Sequence, residues 1–124
     1  EHPEAAQVAA KDGRLPLHWA VINGAGLEVV VALLKEHPEA AQGADKYGRL
    51  PLHWAVENGA GLQVVAALLE ARPEAALVSD KYGRLPLHLA VEDGAGLEVV
   101  AALLEEHPEA AQVADENGYL PLHL

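Results

Sequence analysis

The chain has 124 residues, 51% of them apolar, a formal net charge of −11 and no Cys, Met or Phe. Without Cys there is no disulfide framework, no thiolate nucleophile and no thiolate zinc site. The acidic balance argues against general nucleic-acid affinity, because phosphates are repelled. No segment approaches the roughly 18 consecutive apolar residues that mark a membrane span, and no secretory leader is apparent. A reducing interior such as the cytoplasm is compatible with this composition but is not required by it.

The sequence repeats itself every 35 residues. Residues 1–35 and 36–70 agree at 28 of 35 positions, 36–70 and 71–105 agree at 27 of 35, and a fourth copy begins at Glu106 and runs to Leu124. A period of this size is the signature of a solenoid, in which one supersecondary unit stacks on its neighbours. One domain over 1–124 is therefore expected. Residues 1–9 are the end of a preceding unit, 10–44, 45–79 and 80–114 are repeats, and 115–124 is a partial repeat.

The unit Asp45–Ser79 shows the elements in order. AspLysTyrGly reads as a turn, with Gly48 at a positive φ. Pro51 fits the first position of a helix, where a missing N–H costs nothing. Leu52, Ala55 and Val56 then lie on one helical stripe. Gly59 stops this helix, because Gly tolerates the left-handed cap conformation. A second helix runs from about Leu62, with Leu62, Val65, Ala66, Leu68 and Leu69 as its apolar face. It ends near Arg72, since the residue before Pro73 is pushed out of helical geometry. ProGluAlaAla reads as one more short helical turn. Each unit is thus helix, turn, helix, loop, and cannot bury its apolar face alone.

AspLysTyrGlyArgLeuProLeuHis, then Ala, Gly, ValVal and LeuLeu at set spacings, resembles the ankyrin repeat. ProLeuHis occurs four times, at Pro16–His18, Pro51–His53, Pro86–His88 and Pro121–His123. The resemblance implies an all-α solenoid with hairpin-like loops. It also implies a non-catalytic interaction module that binds protein on the concave face of loop tips and first helices. Two departures stand out. The family's usual Thr before Pro is Leu15, Leu50, Leu85 and Leu120, and a lost side-chain cap typically costs about 1 kcal/mol. Asp45, Asp80 and Asp115 are the nearest replacement acceptors. The unit is also longer than the family's usual length of about 33 residues. The extra residues fit the GlyAlaGly turn and the GluHisProGluAlaAla segment, away from the hairpin tips.

Catalysis and metal binding find little support. Ser79 is the only Ser, there is no Thr, and no nucleophile triad can be built. His18, His53, His88 and His123 recur at one phase, His2, His37 and His107 at another. Stacked helices lie about 8–10 Å apart, whereas zinc needs each nitrogen at about 2.0–2.1 Å. Equivalent histidines in neighbouring repeats are therefore too far apart to share an ion. The ProLeuHis histidine, with its proline, is read as structural, its ring bonded to the loop backbone, as the resemblance also implies. The other set, replaced by Arg72 in one repeat, reads as surface. No cofactor is expected.

Charge is more informative. Six of the eight basic residues fall in the loop before the first helix: Lys11, Arg14, Lys46, Arg49, Lys81 and Arg84. Stacking should align them into a stripe with Tyr47 and Tyr82 among them, a mixture typical of interface hot spots. The alternative is that the cations pair with Asp45, Asp80 and their neighbours, each exposed pair contributing little. Asp12 shares the loop phase of Tyr47 and Tyr82. Ile22 with Asn23, Glu57 with Asn58, and Glu92 with Asp93 occupy the end of the first helix. Ile22 is the best single contact candidate, while Trp19 and Trp54 are read as core in place of Leu. The first unit is as apolar as the later ones and lacks a polar cap. Near-identical copies point to a consensus or designed array, although recent duplication would look similar. Two functions follow. One is a protein-binding module. The other is a scaffold without a native partner, able to associate head to tail through uncapped ends.

Overall fold

The structure is a computed structural model and describes residues 13–121. Among the sequence candidates, Lys11, Asp12 and His123 lie outside the described residues. Those described form six α-helices and no strand: α1 (Pro16–Ile22), α2 (Leu27–Glu36), α3 (Pro51–Glu57), α4 (Leu62–Ala71), α5 (Pro86–Glu92) and α6 (Leu97–Glu106). A 3-10 turn follows each even-numbered helix, at Pro38–Gln42, Pro73–Leu77 and Pro108–Gln112. α1, α3 and α5 pack side by side in one row, and α2, α4 and α6 in a second row behind them. This is the all-α solenoid expected from the period.

The odd-numbered helices begin and end as their punctuation dictates. Pro occupies the first helical position in all three. At the far end of α3, Ala60 N–H donates to Ala55 O at 2.8 Å and Gly59 N–H to Val56 O at 3.2 Å. This pair of bonds is the Schellman arrangement, with Gly59 in the left-handed region. α4 runs from Leu62 to Ala71 and stops at Arg72, whose N–H still reaches Leu68 O at 3.1 Å.

The core lies between the two rows and passes without interruption through the repeats. Leu17, Leu52 and Leu87 are fully buried under the first row, and Val30, Val65, Leu68 and Leu103 under the second. In α4 the buried set is Val64, Val65, Leu68 and Leu69. Leu62 and Ala66, expected on that face, are exposed, and Val64 joins it instead. Of the leucines that replace the family's Thr, Leu50 and Leu85 are core residues, only 2% and 1% exposed, and Leu15 packs half-buried against the core.

The loop tips stack through their backbones. Lys81 N–H donates to Tyr47 O at 2.7 Å, and Glu116 N–H donates to Tyr82 O at 3.1 Å. Gly48 (φ +72) sits at this contact, where an added Cβ would lie 3.0 Å from Lys81 N. Gly59 (φ +76) would meet nothing within 4 Å. Gly59→Ala should therefore cost only the left-handed conformation, about 1 kcal/mol. Gly48→Ala should cost that and also push apart the two tips. Urea unfolding of the two variants separates the effects, and equal losses would mean that the tip contact contributes nothing.

Candidate functional site

The frame of the site is a buried histidine that ties the start of each first-row helix to a loop farther along the chain, within its repeat for His53 and in the next unit for His18 and His88. In α3, Leu50 N–H donates to His53 Nδ1 at 3.0 Å, and His53 Nε2–H donates to Val78 O at 2.9 Å. His18 accepts from Leu15 N–H at 2.9 Å and reaches Arg49 O at 3.0 Å. His88 accepts from Leu85 N–H at 3.0 Å and reaches Tyr119 O at 3.0 Å. All three rings are 0% exposed. Accepting at Nδ1 and donating at Nε2 fixes the neutral tautomer. Burial pushes the His53 pKa down to about 4, against opposing pulls led by Asp80. His18 is lowered for the same first reason.

Asp45 and Asp80 do not cap the helices, contrary to expectation. No side chain bonds the first turn of α1, α3 or α5 from the N-cap position. Pro removes one donor there, and a tightened first turn uses backbone acceptors such as Leu50 O, which takes His53 N–H at 3.1 Å. The aspartates instead organise the loops. Asp45 Oδ1 accepts from Tyr47 and Arg49 N–H at 2.9 and 3.1 Å, and Asp80 Oδ1 from Tyr82 and Arg84 N–H at 2.9 and 3.0 Å.

Their second oxygens join the repeats. Arg14 Nε donates to Asp45 Oδ2 at 3.4 Å, and Arg49 Nε donates to Asp80 Oδ2 at 3.1 Å. Arg49 Nη1 also reaches Glu57 Oε1 at 2.6 Å. Trp54 Nε1 donates to Asp45 Oδ2 at 2.8 Å. Arg14 stands 5.0 Å from the Trp19 ring centroid and 4.7 Å from that of Trp54, with Arg49 4.6 Å from Trp54. The result is a ladder of alternating guanidinium, indole and carboxylate. Burial pushes both carboxyls up. For Asp45, bonds from Trp54, from the Arg49 and Tyr47 backbones and from Arg14 outweigh it and hold the group low. For Asp80, the Arg84 and Tyr82 backbones and Arg49 do the same.

Two expectations change here. Trp19 is not a core residue, and Trp54 packs against the core from its edge. Trp19 is 37% exposed and Trp54 half-buried, whereas Leu89 at the same phase is 1% exposed. At this phase both indole rings face arginine, and the Trp54 N–H also meets a carboxylate. Nor is the basic stripe uniformly exposed. Arg49 is 6% exposed and tied down by Asp80, Glu57 and Trp54. Arg14 and Arg84 are half-buried. Tyr47 is half-buried against Trp54, ring centroids 6.5 Å apart and edge-on.

What remains open is a band of mixed character. Lys46 and Lys81 are exposed beside their own tyrosines, 5.3 and 6.0 Å from the ring centroids. Tyr82 is 40% exposed. Along the helix ends Asn23, Asn58, Glu92 and Asp93 are exposed, and Ile22 and Glu57 are half-buried. Partial burial, then repulsion from Glu57 and Glu92, raises the Asp93 pKa. Trp19 and Tyr119, the latter 50% exposed, also belong to this band. Trp19 was missed because an aromatic on a helical stripe reads as core. The arginine at its own loop phase, five residues before it, was the available signal.

Two outcomes test this geometry. His53 is protonated below pH 6.5 in the unfolded chain and only below about pH 4 in the folded one. Its contribution is therefore complete above pH 6.5 and is lost as pH falls toward 4, a change on the order of 3 kcal/mol. Asp45 and Asp80, lowered from 3.8, should add a further loss only below that pH. Stability measured by urea titration across pH 3–8 checks both windows, and His53→Gln should reduce the upper one, leaving the part that His18 carries. Separately, Arg49→Met leaves the fully covered Asp80 carboxylate without its closest cation. It should cost about 3 kcal/mol, read as a drop in melting temperature.

A family model described as ankyrin repeats in three copies matches residues 2–77, and another described as ankyrin repeats in many copies matches residues 68–124. No curated protein matches the chain significantly. Ankyrin repeats are generally protein–protein interaction modules, and proteins built from them are generally non-catalytic. The matched residues run through every helix pair and loop described above, and the chain belongs to the ankyrin repeat family.

Proposed function

We propose that the chain is a protein-binding module whose working surface is the band of loop tips and first-row helix ends. The observation that carries this reading is the exposure of Trp19, Tyr82, Lys46 and Lys81 beside a tied-down arginine ladder. Aromatic groups next to cations, held on a rigid support, are the makings of interface hot spots at low entropic cost. Arg14 and Arg49 serve the face by holding its tryptophans, while Lys46, Lys81, Tyr82, Ile22, Asn23, Asn58, Glu92 and Asp93 are the groups left to meet a partner. On this reading 1–124 is one binding domain with repeats at 10–44, 45–79 and 80–114.

A second reading is a consensus scaffold without a native partner that self-associates head to tail. Val29 favours it, being 48% exposed where its equivalents Val64 and Val99 are 9% and 7% exposed. A second copy stacked on that side would cover it as a preceding repeat covers the others.

The first reading is tested with a partner selected against the full chain. Lys46→Ala combined with Tyr82→Ala should weaken that complex by about tenfold or more. The melting temperature should stay close to the parent's, because neither side chain is buried. Unchanged affinity would remove this face from the interface. Light scattering across a concentration series tests the second reading, which predicts mass that grows without a closed plateau. A constant monomer mass would end it.

A further inference from the structure

The ladder is broken at its last rung, and the break leaves a cavity. Arg14 reaches Asp45 and Arg49 reaches Asp80, so Arg84 should reach Asp115. It does not. Arg84 Nε lies 3.7 Å from Asp80 Oδ2 and makes no hydrogen bond, while Nη1 lies 3.5 Å from Glu92 Oε1. The sequence supplies two reasons. Leu89 stands where Trp54 stands one repeat earlier, so no indole lies beside Arg84 to hold it across the rung. Tyr119 stands where the earlier repeats carry Arg49 and Arg84, so the partner loop brings no cation of its own. Asp115 Oδ1 accepts from Asn117 and Tyr119 N–H, both at 2.9 Å. Among the described residues, its other oxygen has neither the arginine nor the indole that meets Asp45.

The space left is a cavity of about 370 Å³ between Tyr82, Arg84 and Glu92 on one side and Asp115, Glu116 and Tyr119 on the other. One cation there faces three carboxylates. Arg84 is already matched by Asp80 and Glu92, which leaves Asp115 and Glu116 to attract incoming positive charge.

We propose that this cavity takes an arginine side chain of a partner protein, paired with Asp115 and Glu116 and stacked against Tyr119. The incoming guanidinium takes the place of the missing rung and does there what Arg14 and Arg49 do within the chain. Arginine fits better than lysine because its planar fork both stacks on a ring and meets carboxylates edge-on. A phosphate or carboxylate ligand is repelled by the acidic wall. The inference extends the binding-module reading by giving the chemistry of one contact. It rests on that reading only for the statement that the arginine belongs to a protein.

The test is an NMR titration of the full chain with acetyl-Gly-Arg-Gly-amide, and with the same peptide carrying citrulline, which keeps the shape and lacks the charge. The arginine peptide should shift the amides of Tyr82, Glu116, Asn117 and Tyr119 saturably, and the citrulline peptide should not. Asp115→Asn, which keeps the Oδ1 acceptor the loop needs, should weaken binding at least about threefold. Tyr119→Arg restores the residue that the other repeats tolerate at this position and should block the site with a resident cation. Equal shifts with citrulline, shifts spread evenly over the acidic surface, or no effect of either variant would overturn the proposal. No partner is needed for this titration, so its failure is distinct from that of the Lys46 and Tyr82 experiment.

Discussion

Everything in this fold hangs on a buried neutral imidazole that makes two hydrogen bonds to the backbone. His18, His53 and His88 each accept from the N–H just before their helix and donate to a carbonyl farther along the chain. One bond sets where the helix starts, and the other sets how far away the next loop lies. Because each ring is dry, neither bond competes with water, and loss of either leaves a buried polar group unpaired. The leucines before Pro are compatible with this arrangement. Leu15, Leu50 and Leu85 give no cap, but the histidine satisfies their own N–H, and their side chains lie in or against the core.

The aspartates carry the second layer of organisation. With one oxygen each shapes its own loop, and with the other Asp45 and Asp80 receive the arginine of the preceding repeat. The arginines are fixed in turn by tryptophan faces. An ion pair this well covered is not a route to great stability, since desolvation offsets much of the attraction. Its consequence is geometric. It fixes the spacing of the tips and decides which side chains are left over for contact.

That division alters the meaning of the basic stripe. Six cations at one phase look like a uniform surface. Among those described, Arg14 and Arg49 turn inward along the ladder, whereas Lys46 and Lys81 turn out into water. Near-identical repeats therefore do not give near-identical surfaces. Trp19 and Trp54 give way to Leu89 at one phase, and the arginine reaches across to its neighbour only in the two repeats that carry tryptophan.

Local chemistry along the chain is enough to read the period, the two helices of each unit, their boundaries and the family. These follow from local chemistry: Pro at a helix start, Gly at a positive φ, Pro after a helix end, and apolar spacing along each face. The sequence also names the loop residues that gather at one edge, because equal repeats must align. What each of those residues touches emerges only when the repeats stack. Whether Asp45 caps a helix or receives an arginine depends on a group 31 residues away. Whether Trp19 is core or surface depends on the ring and charge stacked beside it. No window along the chain contains those distances. They exist only once one repeat is laid against the next, because the polar groups of each loop are satisfied by its neighbour.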